Sequence, residues 1–143
     1  MHTSYNIWLI VAAGLSAIAA ALHLAIIVGG AKWYRFFGAG EHMALATIAG
    51  RWYPAIITTG IALVLSIWSA YALSGAGVIQ TLPLLKLGLS VITAIYLLRG
   101  LAIIPLFIIA REKTTPFLLW SSASCCGYGT VHLLGLTQVW SML

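Results

Sequence analysis

Long apolar stretches separated by short polar segments dominate the chain. Four stretches, at residues 7–28, 54–73, 82–110 and 116–140, each hold about twenty or more mostly apolar residues, the length a helix needs to cross a bilayer. Backbone groups in lipid must find hydrogen bonds inside their own segment, which favours helices here. The pattern therefore predicts an all-α integral membrane protein, an antiparallel four-transmembrane-helix bundle in a single domain over residues 1–143.

The connection between the first two predicted spans differs from the others. Residues 30–53 are too many for a turn and too apolar for a free loop. Its aromatic residues are expected at the membrane interface: Trp33, Tyr34, Phe36 and Phe37. The segment EHMALATIA at residues 41–49 is predicted to form a short interfacial or re-entrant helix.

Composition supports the membrane assignment and excludes other classes of protein. The chain is 62% hydrophobic and 6% charged, whereas soluble domains are about 25% charged. Its net charge of +5 comes from basic residues that flank or interrupt apolar stretches. This distribution indicates contact with anionic membrane lipids and argues against a nucleic-acid partner, which would require a basic patch on a soluble surface.

Basic residues also predict the orientation. The segments between spans one and two and between spans three and four hold five of them: Lys32, Arg35, Arg51, Arg111 and Lys113. The other side holds only Lys86, at the start of span three. Because cytoplasmic loops are enriched in lysine and arginine, both basic connections are predicted to be cytoplasmic. Both termini then face outward, and a bacterial inner membrane is the expected location.

Arg99 is the most costly residue in the predicted spans. An arginine at a helix centre costs about 2.5–3.5 kcal/mol on insertion scales, so a partner inside the bundle is expected. The chain has only two acids, Glu41 and Glu112. Glu112 already lies between two basic residues, and glycines before Glu41 allow its segment to bend towards the membrane. Glu41 is therefore the predicted partner of Arg99.

Three further groups extend this hypothesis to a polar pocket. His23 and Arg99 both lie about 24 Å from the outer ends of their spans, at a rise of 1.5 Å per residue. Glu41 and His42 belong to the connection on the same side, and Tyr96 lies one helical turn before Arg99. A pocket built from these five residues would have an aromatic rim formed by Trp33, Tyr34 and Phe37.

The remaining polar residues in the fourth span are interpreted as a packing surface. Small and mildly polar residues follow one stripe: Ser121, Cys125, Gly129 and His132. Neither a metal site nor a cofactor is predicted, since the two cysteines are adjacent and no metal-ligand spacing occurs. A haem held by His23 and His132 is disfavoured, because the two histidines are predicted to differ in depth by roughly 13 Å or more.

A resemblance covers most of the chain. The pattern "LHLAIIVGGAKWYRFFGAGEHMA…YPA…LPLL…YLLRG" resembles that of small four-span bacterial inner-membrane proteins. The resemblance implies a fold and no particular activity. From the residues, the first hypothesis is a membrane protein that binds a small or lipid-like ligand, anionic or carbonyl-bearing, in the polar pocket.

Two alternatives stay open at this point. The chain could be a non-enzymatic accessory or assembly subunit that packs on a larger membrane protein, or form a homo-oligomer, through its small-residue faces. It could also be a small transporter, or a lipid-modifying enzyme that uses Glu41 and His42 as acid and base. The enzyme is the least favoured, because adjacent helical residues point about 100° apart and no nucleophile motif is present.

Overall fold

The structure is a computed structural model and describes residues 5–143. Most of these residues are helical, with no strand among them. In chain order the elements are α1 (Ile7–Phe36), α2 (Glu41–Ile48), α3 (Tyr53–Gly75), α4 (Leu85–Leu101), α5 (Ile103–Ile109), a 3-10 turn (Arg111–Lys113) and α6 (Pro116–Val139).

Three helical stretches are long and apolar enough to cross a membrane: Ile7–Phe36, Tyr53–Gly75 and Leu85–Ile109. Between 22% and 28% of the residues in the most apolar part of each stretch are buried. Most of their apolar side chains therefore face outward, as contact with lipid requires. The all-helical class is confirmed, and the three apolar stretches are consistent with an integral membrane protein.

The fourth predicted span is a helix but is less apolar than the other three. α6 has 24 residues and begins as the sequence suggests, with Pro116 in its first turn. The Thr115 side chain caps it by accepting a hydrogen bond from the Leu118 amide at 3.1 Å. Its middle, SSASCCGYGT at residues 121–130, is rich in small and polar residues, which lowers its hydropathy. Crossing of the membrane by α6 stays a prediction.

α1 continues beyond the predicted end of the first span. The first span is predicted to end at residue 28, but α1 extends to Phe36 with a kink at Gly30. Gly30 has φ 65°, a conformation that residues with a side chain rarely adopt. The aromatic segment is consequently helical and forms the last part of α1.

The third predicted span is interrupted in the structure. α4 ends at Leu101, and α5 begins at Ile103. Pro105 has no backbone N–H and cannot complete the helical hydrogen bond to residue 101, which accounts for a break at this point. Arg99 therefore lies in the last turn of α4, just before this break, where Ala102 keeps helical backbone angles (φ −58°, ψ −18°).

The described chain divides into two compact units. The first contains the residues up to Ser16 together with Trp68–Leu143. Its core includes Leu9, Leu89 and Leu136, and α4 packs along α6 within it. The Ser69 hydroxyl also donates a hydrogen bond to the Ala13 carbonyl at 2.8 Å.

The second unit is Ala17–Ile67 and contains the kinked part of α1, α2 and the start of α3. Its core cluster consists of Ile26, Tyr34 and Ala44. The Tyr34 hydroxyl lies 3.1 Å from the Thr58 hydroxyl, so the only polar atom of this buried side chain is hydrogen-bonded. The aromatic end of α1 is thus fixed to α3 by both packing and a hydrogen bond.

Candidate functional site

Arg99 contacts two hydroxyl groups of α6. Its Nη1 donates to Ser122 Oγ and its Nη2 to Ser121 Oγ, each at 3.3 Å. Ser122 is buried, whereas the Arg99 side chain is exposed. Hydrogen bonds of this length are weaker than the usual 2.7–3.2 Å, so the serines hold the guanidinium only loosely.

The one ion pair among residues 5–143 joins Arg35 to Glu41. It is bidentate, with Arg35 Nε 2.8 Å from Glu41 Oε2 and Arg35 Nη2 2.7 Å from Glu41 Oε1. The pairing of Glu41 with Arg99 stays a prediction. A depth argument cannot detect the local partner, because the turn through Gly38 and Gly40, both at positive φ, brings residue 41 back to residue 35.

The environment of Glu41 favours its ionised form. Hydrogen bonds from Arg35 lower the pKa of the Glu41 carboxyl below its usual value; desolvation opposes this shift, and the positive charge of Arg35 adds to it. Glu41 is also in the first turn of α2, where the helix dipole stabilises a negative charge.

The two predicted pocket histidines make different contacts within the second unit. His42 is exposed, and its Nδ1 lies 2.9 Å from the Tyr53 hydroxyl. The half-buried His23 has Nδ1 2.7 Å from the Ala19 carbonyl. A carbonyl oxygen only accepts, so His23 Nδ1 carries a hydrogen and its Nε2 is available as an acceptor when the ring is neutral.

Tyr96 is the centre of a buried polar and aromatic cluster in the first unit. Its hydroxyl lies 3.0 Å from the Ser16 hydroxyl. Its ring contacts three others, with centroid distances of 4.9 Å to Trp68, 5.5 Å to Tyr128 and 5.1 Å to His132. The sequence placed Tyr96 beside Arg99, but it gave no signal for the other members of this cluster.

His132 is fully buried and only half satisfied. Its Nδ1 donates to the Tyr128 carbonyl at 2.8 Å, one helical turn earlier. Its Nε2 has no hydrogen-bond partner among the described residues. Since Nδ1 carries the hydrogen in the neutral ring, Nε2 presents a lone pair to an otherwise packed interior.

The three predicted rim aromatics do not share one environment. Trp33 is 41% exposed, whereas Tyr34 is 2% exposed and belongs to the core of the second unit. Phe37 is partly buried against that core and stacks at a tilt on Trp33, with centroids 5.7 Å apart. Tyr34 is therefore buried in the core rather than placed at a pocket rim, and its hydroxyl stabilises the fold through the hydrogen bond to Thr58.

The predicted stripe on α6 includes one point of close approach to α4. A Cβ added at Gly129 would lie 2.7 Å from the Leu97 side chain and 3.0 Å from the Leu97 backbone. Ser121 contacts Arg99, and Cys125 is a half-buried free thiol. The neighbouring Cys126, outside the stripe, is the residue that packs on Gly100 of α4.

No group of three or more histidine, cysteine or acidic side chains that could hold a metal ion is found within residues 5–143. No protein-family model, curated protein or solved structure matches the chain.

Proposed function

We propose that the chain is a four-span integral membrane protein that binds a lipid-like ligand with an anionic or carbonyl-bearing head at Arg99. The fourth span would be α6, and the two basic connections would lie on the cytoplasmic side, as the charge distribution predicts. Three helices apolar enough to cross a membrane support the first part of this proposal.

The observation that carries the ligand assignment is the unneutralised charge of Arg99. Glu112, the carboxylate that belongs to the same unit as Arg99, does not pair with it. A guanidinium has five N–H donors, and two long hydrogen bonds to serine hydroxyls leave most of that capacity unused. Since a charge in an apolar setting is costly unless paired, an anionic ligand group would complete the site.

The donor geometry suits an oxyanion. Arginine recognises carboxylate and phosphate groups through parallel hydrogen bonds. The hydroxyls of Ser121 and Ser122 accept from Arg99. Ser121 keeps a hydrogen that can be donated to a ligand oxygen, whereas the buried Ser122 helps to position the guanidinium. The exposure of Arg99 leaves its guanidinium open to a lipid headgroup. Whether Glu41, His23 and His42 extend the site is a separate prediction.

Lipid binding to a charge-removed variant tests the proposal. Native mass spectrometry of the purified protein would be used to titrate phosphatidylglycerol, with the uncharged diacylglycerol as the comparison lipid. Charge-assisted hydrogen bonds contribute about 1.5–3 kcal/mol, so Arg99→Leu should weaken phosphatidylglycerol binding by about tenfold or more. Diacylglycerol binding should not change, and Ser121→Ala with Ser122→Ala should have a smaller effect in the same direction.

Two control variants separate the site from general effects. Arg51→Leu removes the same charge from an exposed position outside α4. Ser124→Ala removes a hydroxyl that donates to the Trp120 carbonyl of α6 rather than contacting Arg99. Both should bind phosphatidylglycerol within about threefold of the unmodified protein. Unchanged binding by a folded Arg99→Leu protein, judged by gel filtration, would contradict the proposal.

The accessory-subunit alternative has its own supporting observation. A Cβ added at Gly14, Gly60 or Gly127 would meet nothing within 4 Å, so the helices present open, small-residue positions there. Such positions allow close packing of a partner helix in lipid. Purification in mild detergent tests this alternative, because a stoichiometric partner that is lost from a Gly60→Leu variant would favour it.

A further inference from the structure

A large open cavity lies in the first unit, at the end where α1 begins. Its volume is about 1160 Å³. It lies among the first residues of α1, the end of α3, the connection that follows α3, the start of α4 and the end of α6. Sites for small ligands usually measure about 300–1,000 Å³, so this cavity can hold a molecule of at least that size.

Lys86 supplies a positive charge to the cavity wall. Its Nζ donates to the Trp140 carbonyl at 3.0 Å and lies 4.1 Å from the centre of the Trp140 ring. No carboxylate within residues 5–143 pairs with this ammonium group. The carbonyl and the ring fix its position while leaving its charge unneutralised and two of its three N–H donors free.

A pair of side-chain amides adds further donors. Asn6 Oδ1 accepts from the Leu9 amide at 2.9 Å, which fixes the orientation of the Asn6 amide group. Asn6 Nδ2 then donates to Gln138 Oε1 at 2.9 Å. With both amide oxygens engaged, Gln138 presents its NH₂ group. Asn6 and Gln138 both line the cavity, together with the hydroxyl residues Tyr5, Ser74 and Thr81, so its polar side includes hydrogen-bond donors.

The rest of the wall is largely hydrocarbon. It includes Ile7, Leu82, Leu85, Leu87, Val139 and Met142. Apolar walls beside a cationic side with hydrogen-bond donors match an amphiphile. Its hydrocarbon chain would pack on the apolar wall, and its polar head would meet the charge and the donors.

We propose that this cavity binds an anionic amphiphile, a hydrocarbon chain carrying a carboxylate or phosphate head. The head would receive hydrogen bonds from Lys86 and Gln138, and the chain would lie against the apolar wall. This site is independent of the one at Arg99, because 13 residues of helix separate Lys86 from Arg99, about 20 Å at 1.5 Å per residue. On the predicted orientation the cavity opens on the side away from the cytoplasm.

Three probes of equal chain length test the proposal: palmitate, hexadecyl phosphate and hexadecanol. Binding of each to the purified full-length protein would be measured by native mass spectrometry. Saturable binding of palmitate, hexadecyl phosphate or both, about tenfold or more tighter than hexadecanol, is expected. The tighter of the two anions identifies the head as carboxylate or phosphate. Equal binding of hexadecanol, or no saturable binding of either anion, would overturn the proposal.

Variants locate the site. In the Arg99→Leu background, which removes the other proposed anion site, Lys86→Met should weaken anion binding about tenfold or more, whereas Lys86→Arg should remain within about threefold. Gln138→Leu, at an exposed position, supplies a second test that does not depend on the folding of Lys86→Met, and it should weaken binding about threefold. Lys113→Met, in the turn before α6, should have no effect.

The test also distinguishes this cavity from the Arg99 site. Loss of palmitate and hexadecyl phosphate binding in Arg99→Leu, with normal binding in Lys86→Met and Gln138→Leu, would overturn the cavity proposal and leave the proposed function standing. The reverse pattern would support the cavity proposal alone.

Discussion

The Arg35–Glu41 pair makes a specific prediction about pH. Hydrogen bonds from Arg35 hold the pKa of the Glu41 carboxyl below its usual value of 4.5. A group whose pKa is lower in the folded protein stabilises the fold above its unfolded pKa, and that contribution is lost as the pH falls through the folded value. The pair should therefore be intact at neutral pH and should open only in acid, below pH 4.5.

Carbon-13 NMR of labelled glutamate would measure this titration, with Glu112 as the second signal. Arg35→Gln should raise the pKa of Glu41 towards 4.5 because it removes both the hydrogen bonds and the charge. Arg51→Gln, which removes a charge elsewhere, should leave it unchanged. A Glu41 pKa that does not respond to Arg35→Gln would mean that the ion pair does not persist in solution.

At the scale of helices, α4 and α6 approach so closely that a side chain at Gly100 should destabilise the protein. A Cβ added at Gly100 would lie 2.5 Å from Cys126 Sγ and 2.7 Å from the Cys126 backbone nitrogen. The backbone contact cannot relax by rotation of a side chain, so Gly100→Ala should destabilise the protein by about 1–3 kcal/mol. Thermal unfolding in detergent would measure the loss.

Gly127 provides the matched control on α6. A Cβ there would meet nothing within 4 Å, and the residue is helical. Gly127→Ala should therefore stabilise the protein by about 0.4–1 kcal/mol through reduced freedom of the unfolded chain. If Gly100→Ala unfolds at the same temperature as Gly127→Ala, the two helices do not approach as closely as the structure places them.

Hydropathy predicts the existence of the helices better than their ends. The four apolar stretches all contain helices, because burial in lipid leaves few other backbone arrangements. Hydropathy does not indicate that α1 continues past Gly30, since the aromatic segment beyond it can be helical or irregular with the same composition. Pro105 was visible in the sequence, but the consequence, an α4 that ends at Leu101 close to Arg99, depends on backbone geometry.

The candidate site was less predictable than the helices. The cost of a charge in lipid identified Arg99 as a residue that needs partners. Its contacts with Ser121 and Ser122 depend on the rotation of α6 about its axis, which apolar periodicity defines poorly when small residues occupy several faces. The contact between Ser16 and Tyr96 joins residues 80 positions apart, and no local signal announces it.

At the scale of the whole molecule, the decisive feature is whether α6 crosses the membrane. Its lower hydropathy comes from a middle segment rich in serine and glycine, yet it has 24 residues and no charged side chain. A helix of about 20 residues is sufficient to span, and Arg111 and Lys113 before it favour retention of that connection in the cytoplasm. We therefore expect that α6 spans the membrane and that its two ends face different compartments.

Labelling of single cysteines in the full-length chain tests this expectation. Cys125 and Cys126 are first changed to serine. Two separate variants, Glu112→Cys and Met142→Cys, then each place one exposed thiol beyond one end of α6. In intact bacterial cells, a membrane-impermeant maleimide should label only the Met142→Cys protein, and permeabilised cells should allow labelling of both. Glu112 suits this purpose because acidic residues contribute little to orientation. Equal labelling of the two proteins in intact cells would place both ends of α6 on one side and reduce the number of spans to three.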